Sequence, residues 1–141
     1  MADKKTDTNT TLQDVKNQAN DFRSKRGWND EDPKDIALSL ILEASELLEH
    51  FQFMSGEEVM KEARLFGPVC DELADVLWWV MVLADRFDID MAQAFEKKLA
   101  KNNTKYPAEL FQGKSSLKER TREYYKIKAK YRGSHPLAEE D

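Results

Sequence analysis

One cysteine, five glycines and four prolines in 141 residues are a thin supply of the residues that staple or punctuate a chain. Cys70 alone forbids an intramolecular disulfide and suits a reducing compartment. So few glycines and prolines, with no β-alternation of useful length, argue against sandwiches and barrels, which need frequent turns. No apolar run reaches the 18 uncharged residues of a membrane span. The opening stretch MADKKTDTNTTLQ holds no apolar segment of the kind a signal peptide uses, so a cytoplasmic protein is expected. Basic excess is missing too: the net charge is −5, and no nucleic-acid partner is expected for the surface as a whole. An anionic small substrate stays open, because bound metal reverses the local field. There is no Walker A segment, and Asp30 to Pro33 does not supply an EF-hand loop.

What is present favours helices. Charged residues make up 35 % of the chain and hydrophobic ones 40 %, enough for the core of one domain but little for an active site enclosed by one subunit. The expected division is a disordered stretch over 1–10, a domain over 11–112, and a basic C-terminal helix and tail over 113–141. Thr10 or Thr11 can cap a first helix reaching about Lys25, with Leu12, Val15, Ala19 and Phe22 on one face. Gly27 breaks it. Asp32 and Pro33 then open a second helix to about Met54. A short helix over about Glu57 to Arg64 follows, then a long one over about Val69 to Phe87, then Met91 to about Lys105. Asp88 and Asp90 mark a tight turn, Pro107 is a stop, and Leu117 to Tyr131 reads as a separate helix rich in Lys, Arg and Tyr.

Two acidic pairs sit where carboxylates are costly. Glu43-x-x-Glu46 interrupts the apolar run Ile36 to Phe53, and Glu72-x-x-Asp75 interrupts Cys70 to Ala84. Burying unpaired carboxylates costs several kcal/mol each, so four of them call for a cation. Spacing i, i+3 puts both members of a pair on one helix face. At 100° per residue Ser39, Glu43, Glu46 and His50 share one stripe, and Glu72, Asp75 and Trp79 another. Antiparallel packing would bring the two stripes together. Oxygen-only ligands suit Mg²⁺, with Mn²⁺ as the variant. Glu49 lies one residue-step off the first stripe, as a third ligand or a residue behind the ligands. A di-iron bundle would want Glu-x-x-His on two helices, but His50 follows Glu46 by four residues and the other histidine, His135, is in the tail.

Further along, Lys101, Asn102, Lys105 and Tyr106 are donors suited to phosphate oxygens that metals do not cover, although lysine and asparagine also favour ordinary helix ends. Trp28 and Phe53 flank the first acidic helix and could stack on a nucleobase or cap the core. Trp78 and Trp79 read as core or subunit interface. The basic run from Lys118 to Lys128 reads as a solvated helix face.

The pattern Glu43-x-x-Glu46 … Glu72-x-x-Asp75, followed by Lys101-Asn102 and Lys105-Tyr106-Pro107, resembles the MazG-like nucleotide pyrophosphohydrolases, and within them the short, single-domain dCTP-pyrophosphatase type. The likeness runs from about Leu12 to Ala108 and includes Arg26-Gly-Trp28, the phrase from Glu46 to Phe53, and Asp85-x-x-Asp88-Ile-Asp90. It implies an all-α bundle whose four-helix core is completed by oligomerisation. It implies Mg²⁺ held by Glu43, Glu46, Glu72 and Asp75, and hydrolysis of a nucleoside triphosphate to monophosphate and pyrophosphate, a housecleaning role in the nucleotide pool. By the same likeness Trp28 and Phe53 line the base pocket, and Lys101, Asn102, Lys105 and Tyr106 hold phosphates. Phe53 stands where the dCTP type has Trp, and Asn29 to Asp32 replace its Phe-His loop, so the likeness carries the metal chemistry and not a particular base.

The expected function is therefore Mg²⁺-dependent nucleoside triphosphate pyrophosphohydrolysis, with Glu43, Glu46 and Glu49 as the catalytic group. The rival is a non-catalytic helical oligomer that binds nucleotides or a protein partner through the same groove. Helices apolar around most of their circumference must be covered on all sides, which predicts a homodimer or homotetramer.

Overall fold

Thr11 starts the first helix with a reciprocal cap: its hydroxyl accepts from the Asp14 N–H while the Asp14 carboxylate accepts from the Thr11 N–H. This helix, α1, spans Leu12–Ser24 in a computed structural model that describes residues 4–63, 67–114 and 116–132. Asp32 caps α2 (Pro33–Gln52) by accepting from the Lys34 N–H, with Pro33 in the first helical position. Then come α3 (Gly56–Ala63), α4 (Pro68–Arg86), α5 (Met91–Lys105), a 3₁₀ turn at Ala108–Leu110, and α6 (Leu117–Arg132). The protein is all-α, with no strand among the described residues. The long helices fall within a residue or two of their expected bounds. The 3₁₀ turn was not anticipated. Arg64, the expected end of the short helix, and the tail with His135 lie outside the described residues.

Turn chemistry explains the breaks. Gly27 has φ +69°, a left-handed conformation open to glycine, and it closes α1 before the polar loop. Asp88 takes φ +53° between α4 and α5, which a short polar side chain tolerates better than most.

The chain forms two units, residues up to Met91 and residues from Ala92. In the first, α2 and α4 run antiparallel, as three pairings along them require. Ile36 packs with Val82, Glu43 meets Trp79, and His50 faces Glu72. Ile36 and Val82 are the largest fully buried side chains, joined by Ala19 of α1 and flanked by Trp78, Trp79 and Leu83. The buried face of α1 is turned from the expected one. Lys16, Ala19 and Arg23 are buried, whereas Leu12 and Phe22 are exposed. The two cations bury their stems because their heads find partners. Lys16 Nζ donates to the Ile89 carbonyl at 3.0 Å, and Arg23 pairs with Glu31 at 2.7 Å.

In the second unit α6 is not wholly a solvated face. Ile127 is buried, and Tyr124 stacks on Tyr106 with ring centroids 5.5 Å apart. Lys114 and Glu123 join at 3.0 Å and tie the loop to the helix. No described helix is long and apolar enough to cross a membrane.

Candidate functional site

Because α2 and α4 are antiparallel, the i, i+3 carboxylates of one face those of the other. Glu43 and Glu46 from α2 and Glu72 from α4 each offer a carboxylate oxygen, and these oxygens lie within 4.8 Å of one another. Glu43 and Glu72 are half-buried, and Glu46 opens to solvent. Three acidic groups at that range repel, and the structure records the consequence at Glu72. Burial pushes its carboxyl above the ordinary carboxylate range, and Glu46, Asp75 and Glu43 add repulsion in that order, against a smaller opposing pull from His50. An all-oxygen donor set with surplus negative charge suits a hard divalent cation.

Asp75 acts on Glu72 through its charge but does not join the group of three. Glu49, i+3 from Glu46, is exposed on α2. Two neighbours of the cluster were not read as its partners from sequence. Trp79 Nε1 donates to Glu43 Oε1 at 3.2 Å, and His50 Nε2 stands 3.9 Å from Glu72 Oε1. The periodicity had put both residues on the acidic stripes, but which atoms meet across two helices depends on how the helices cross.

The aromatic candidates are placed differently from each other. Trp28 lies edge-on to Phe22, which in turn lies edge-on to Trp78 at 5.2 Å, with the Arg26 guanidinium 3.4 Å above the Phe22 ring. Phe53, at the C-terminal cap of α2, is 91 % exposed. A cavity of about 360 Å³ lies beside Trp78, lined by Val15, Ala19, Ala74 and Leu77 and, on its polar side, by Lys5, Asp7, Thr10 and Gln18. The larger cavity, about 470 Å³, sits between α1 and α4 among Asn20, Asp21, Arg23, Asp85 and Arg86, and contains none of the candidate residues. None of the carboxylates of the cluster lines either of these cavities. In the second unit Lys101 and Asn102 are exposed near the end of α5, and Lys105 and Tyr106 are half-buried.

Comparison with known proteins gives a consistent picture. The MazG-like family model matches residues 38–118, which include both acidic pairs and the end of α5. Mouse dCTP pyrophosphatase 1 is 33 % identical over 107 residues, covering 73 % of this chain and 63 % of that protein. The human protein of the same name is 31 % identical over 109 residues, covering 74 % and 64 %. The chain thus spans a little under two thirds of the length of these curated relatives. A crystal structure of a pyrophosphatase from Archaeoglobus fulgidus superposes with a TM-score of 0.62 at 36 % identity, covering 68 % of this chain and 92 % of that one.

Proposed function

The chain belongs to the MazG-like family, and from that premise we propose that it hydrolyses nucleoside triphosphates to monophosphate and pyrophosphate with the help of Mg²⁺. The observation that carries this reading is the convergence of Glu43, Glu46 and Glu72 within 4.8 Å, with the Glu72 carboxyl pushed upward by its neighbours. Pyrophosphatases among the relatives and the superposed structure support the reaction class. A surface of like charges suits an anionic substrate only when cations intervene.

Glu43, Glu46, Glu72 and Asp75 are proposed to hold the metal. When bound, Mg²⁺ would neutralise the triphosphate and lower the pKa of a coordinated water. Glu46 is the cluster member open to solvent, and it is proposed to orient or deprotonate the attacking water, with Glu49 one turn along as the alternative base. Water adds to the α- or the β-phosphorus and gives its proton to that base, the α–β anhydride P–O bond breaks, and nucleoside monophosphate and pyrophosphate separate. Lys101, Asn102, Lys105 and Tyr106 are proposed to donate to phosphate oxygens, and Trp28 and Phe53 to take the base. Trp79 and His50 would hold Glu43 and Glu72 in place. Mn²⁺ would substitute for Mg²⁺ on the same oxygen ligands.

We further propose a homo-oligomer. Leu38, Ile41, Leu42 and Leu48 of α2 are each more than half exposed, and Leu73 of α4 is 58 % exposed. A cytoplasmic location fits the lone cysteine and the nucleotide substrate.

The test is release of pyrophosphate from a panel of canonical and modified nucleoside triphosphates with Mg²⁺. Hydrolysis of at least one of them, lost in Glu43→Gln and Glu72→Gln, is the expected result. A panel left intact would favour the non-catalytic oligomer that binds nucleotides or a protein partner.

A further inference from the structure

Inside the second unit, the end of α5 meets α6 in an arrangement that helix propensity alone does not call for. Lys105 Nζ lies 5.2 Å from the centroid of the Tyr106 ring and 5.1 Å from that of Tyr131. Tyr106 is itself backed by Tyr124, the two rings 5.5 Å apart and inclined by 15°, with Phe111 at 6.5 Å on another side. Lys105 is half-buried, yet no carboxylate pairs with it among the described residues. Among the described residues, the ion pair of α6 goes elsewhere, from Glu123 to Lys114.

That choice of partner has a chemical consequence. A carboxylate would fix the ammonium and cancel its charge. A ring face fixes it through the quadrupole and leaves the positive field to act on a third group. Two faces restrict a flexible four-carbon stem, so less rotamer entropy is lost when the ammonium meets an anion. The Lys128 ammonium, 5.5 Å from the Tyr124 centroid, adds a second cation to the same group of rings. Buried Ile127 and the Lys114–Glu123 pair hold α6 in position to do this. The family match ends at residue 118, so the stretch bearing Tyr124 and Tyr131 lies beyond it.

We infer that Tyr131 and Tyr124 of α6 are positioning residues, which present Lys105 and Tyr106 to a phosphate-rich anion. Tyr131 acts through the Lys105 ammonium, and Tyr124 through the plane of Tyr106. The identity of the anion as a nucleotide triphosphate rests on the pyrophosphohydrolase reading, but the clamp itself can be measured without turnover.

The experiment is calorimetric titration of the full chain with inorganic triphosphate in the absence of metal. Tyr131→Leu should weaken binding roughly twofold to fivefold, the size of an exposed cation–π contact expressed as affinity. Tyr131→Phe keeps the ring face and should restore it. In a Lys105→Gln background, Tyr131→Leu should change nothing further, because its route is gone. Unchanged affinity in Tyr131→Leu, or an equal loss in both backgrounds, overturns the inference. Should Tyr131→Leu disturb α6, the unaltered chain still decides. The Lys105 ε-methylene protons should be shifted upfield by the two rings and should move on adding triphosphate, and unshifted resonances overturn the clamp. A chain that binds triphosphate in this way but hydrolyses no nucleotide would sink the enzymatic reading and leave the clamp standing.

Discussion

Trp79 donates its indole N–H to Oε1 of Glu43 across 3.2 Å, joining α4 to α2 at the edge of the acidic cluster. An indole can donate but cannot ligate a metal or give up its proton in this pH range. It therefore anchors one oxygen of Glu43 without itself competing for a cation. The same bond lowers the cost of half-burying that carboxylate, since a buried anion without a donor is heavily penalised.

Trp79→Phe removes the donor and keeps an aromatic ring in the core. Residues that orient a metal ligand typically matter by about tenfold to a hundredfold in metal affinity or activity. A loss of that size is expected in Mn²⁺ affinity, followed by titration, with the helical circular dichroism unchanged. Equal Mn²⁺ affinity in the variant and the unaltered chain would remove Trp79 from the site.

Glu72 sets a pH dependence in the metal-free protein. Its folded-state carboxyl is raised above the ordinary range, first by burial and then by Glu46, Asp75 and Glu43. The folded state therefore binds a proton more readily than the unfolded chain. Its stabilising contribution is full below the ordinary glutamate range and is lost as pH rises through the raised value. Glu72→Gln keeps a neutral side chain at every pH. It should raise the melting temperature at about pH 7 and lose that advantage near pH 4, where the native glutamate is itself protonated. Saturating Mg²⁺ should reverse the order at neutral pH, because the intact cluster gains binding free energy on the folded side only. A melting-temperature difference that is independent of pH would show that Glu72 does not feel its neighbours.

Much of this was legible in the sequence. Thr11, Asp32 with Pro33, and Gly27 mark helix ends through chemistry confined to a few residues, and they fall where expected. The acidic stripes were legible because i, i+3 spacing fixes a face whatever lies opposite. What failed to show were relations between elements. The buried face of α1 was misassigned because Lys16 and Arg23 count as polar by type, while their stems are buried once Ile89 and Glu31 receive the heads. Asp75 stands outside the group of three because the crossing of α2 and α4 decides which carboxylates converge. The clamp on Lys105 was hidden in a helix dominated by charge, where Tyr124, Ile127 and Tyr131 form a narrow apolar stripe at i, i+3 and i+7.

The exposed face of α2 makes the last prediction. Leu38, Ile41, Leu42 and Leu48 recur at helical spacing along one side of α2, and each leaves more than half its surface open in a single chain. Large apolar side chains repeated along one exposed side suit an interface, whereas Ile36 on the opposite side is 1 % exposed and belongs to the core. The two sides should answer differently to mutation. Ile36→Ala should cost about 2–5 kcal/mol of stability whatever the assembly, by cavity formation. Ile41→Asp should leave the helical fold of one chain largely intact, since a change at an exposed position of an isolated subunit is worth about 0.5 kcal/mol or less. If Ile41 is covered by a second copy, the same change buries an unpaired charge and the assembly separates. Sedimentation should then find the unaltered protein at a multiple of its 16.4 kDa chain mass and Ile41→Asp shifted to the single chain. A 16.4 kDa species for the unaltered protein at micromolar concentration would overturn the oligomer and leave the apolar stripe without an occupant.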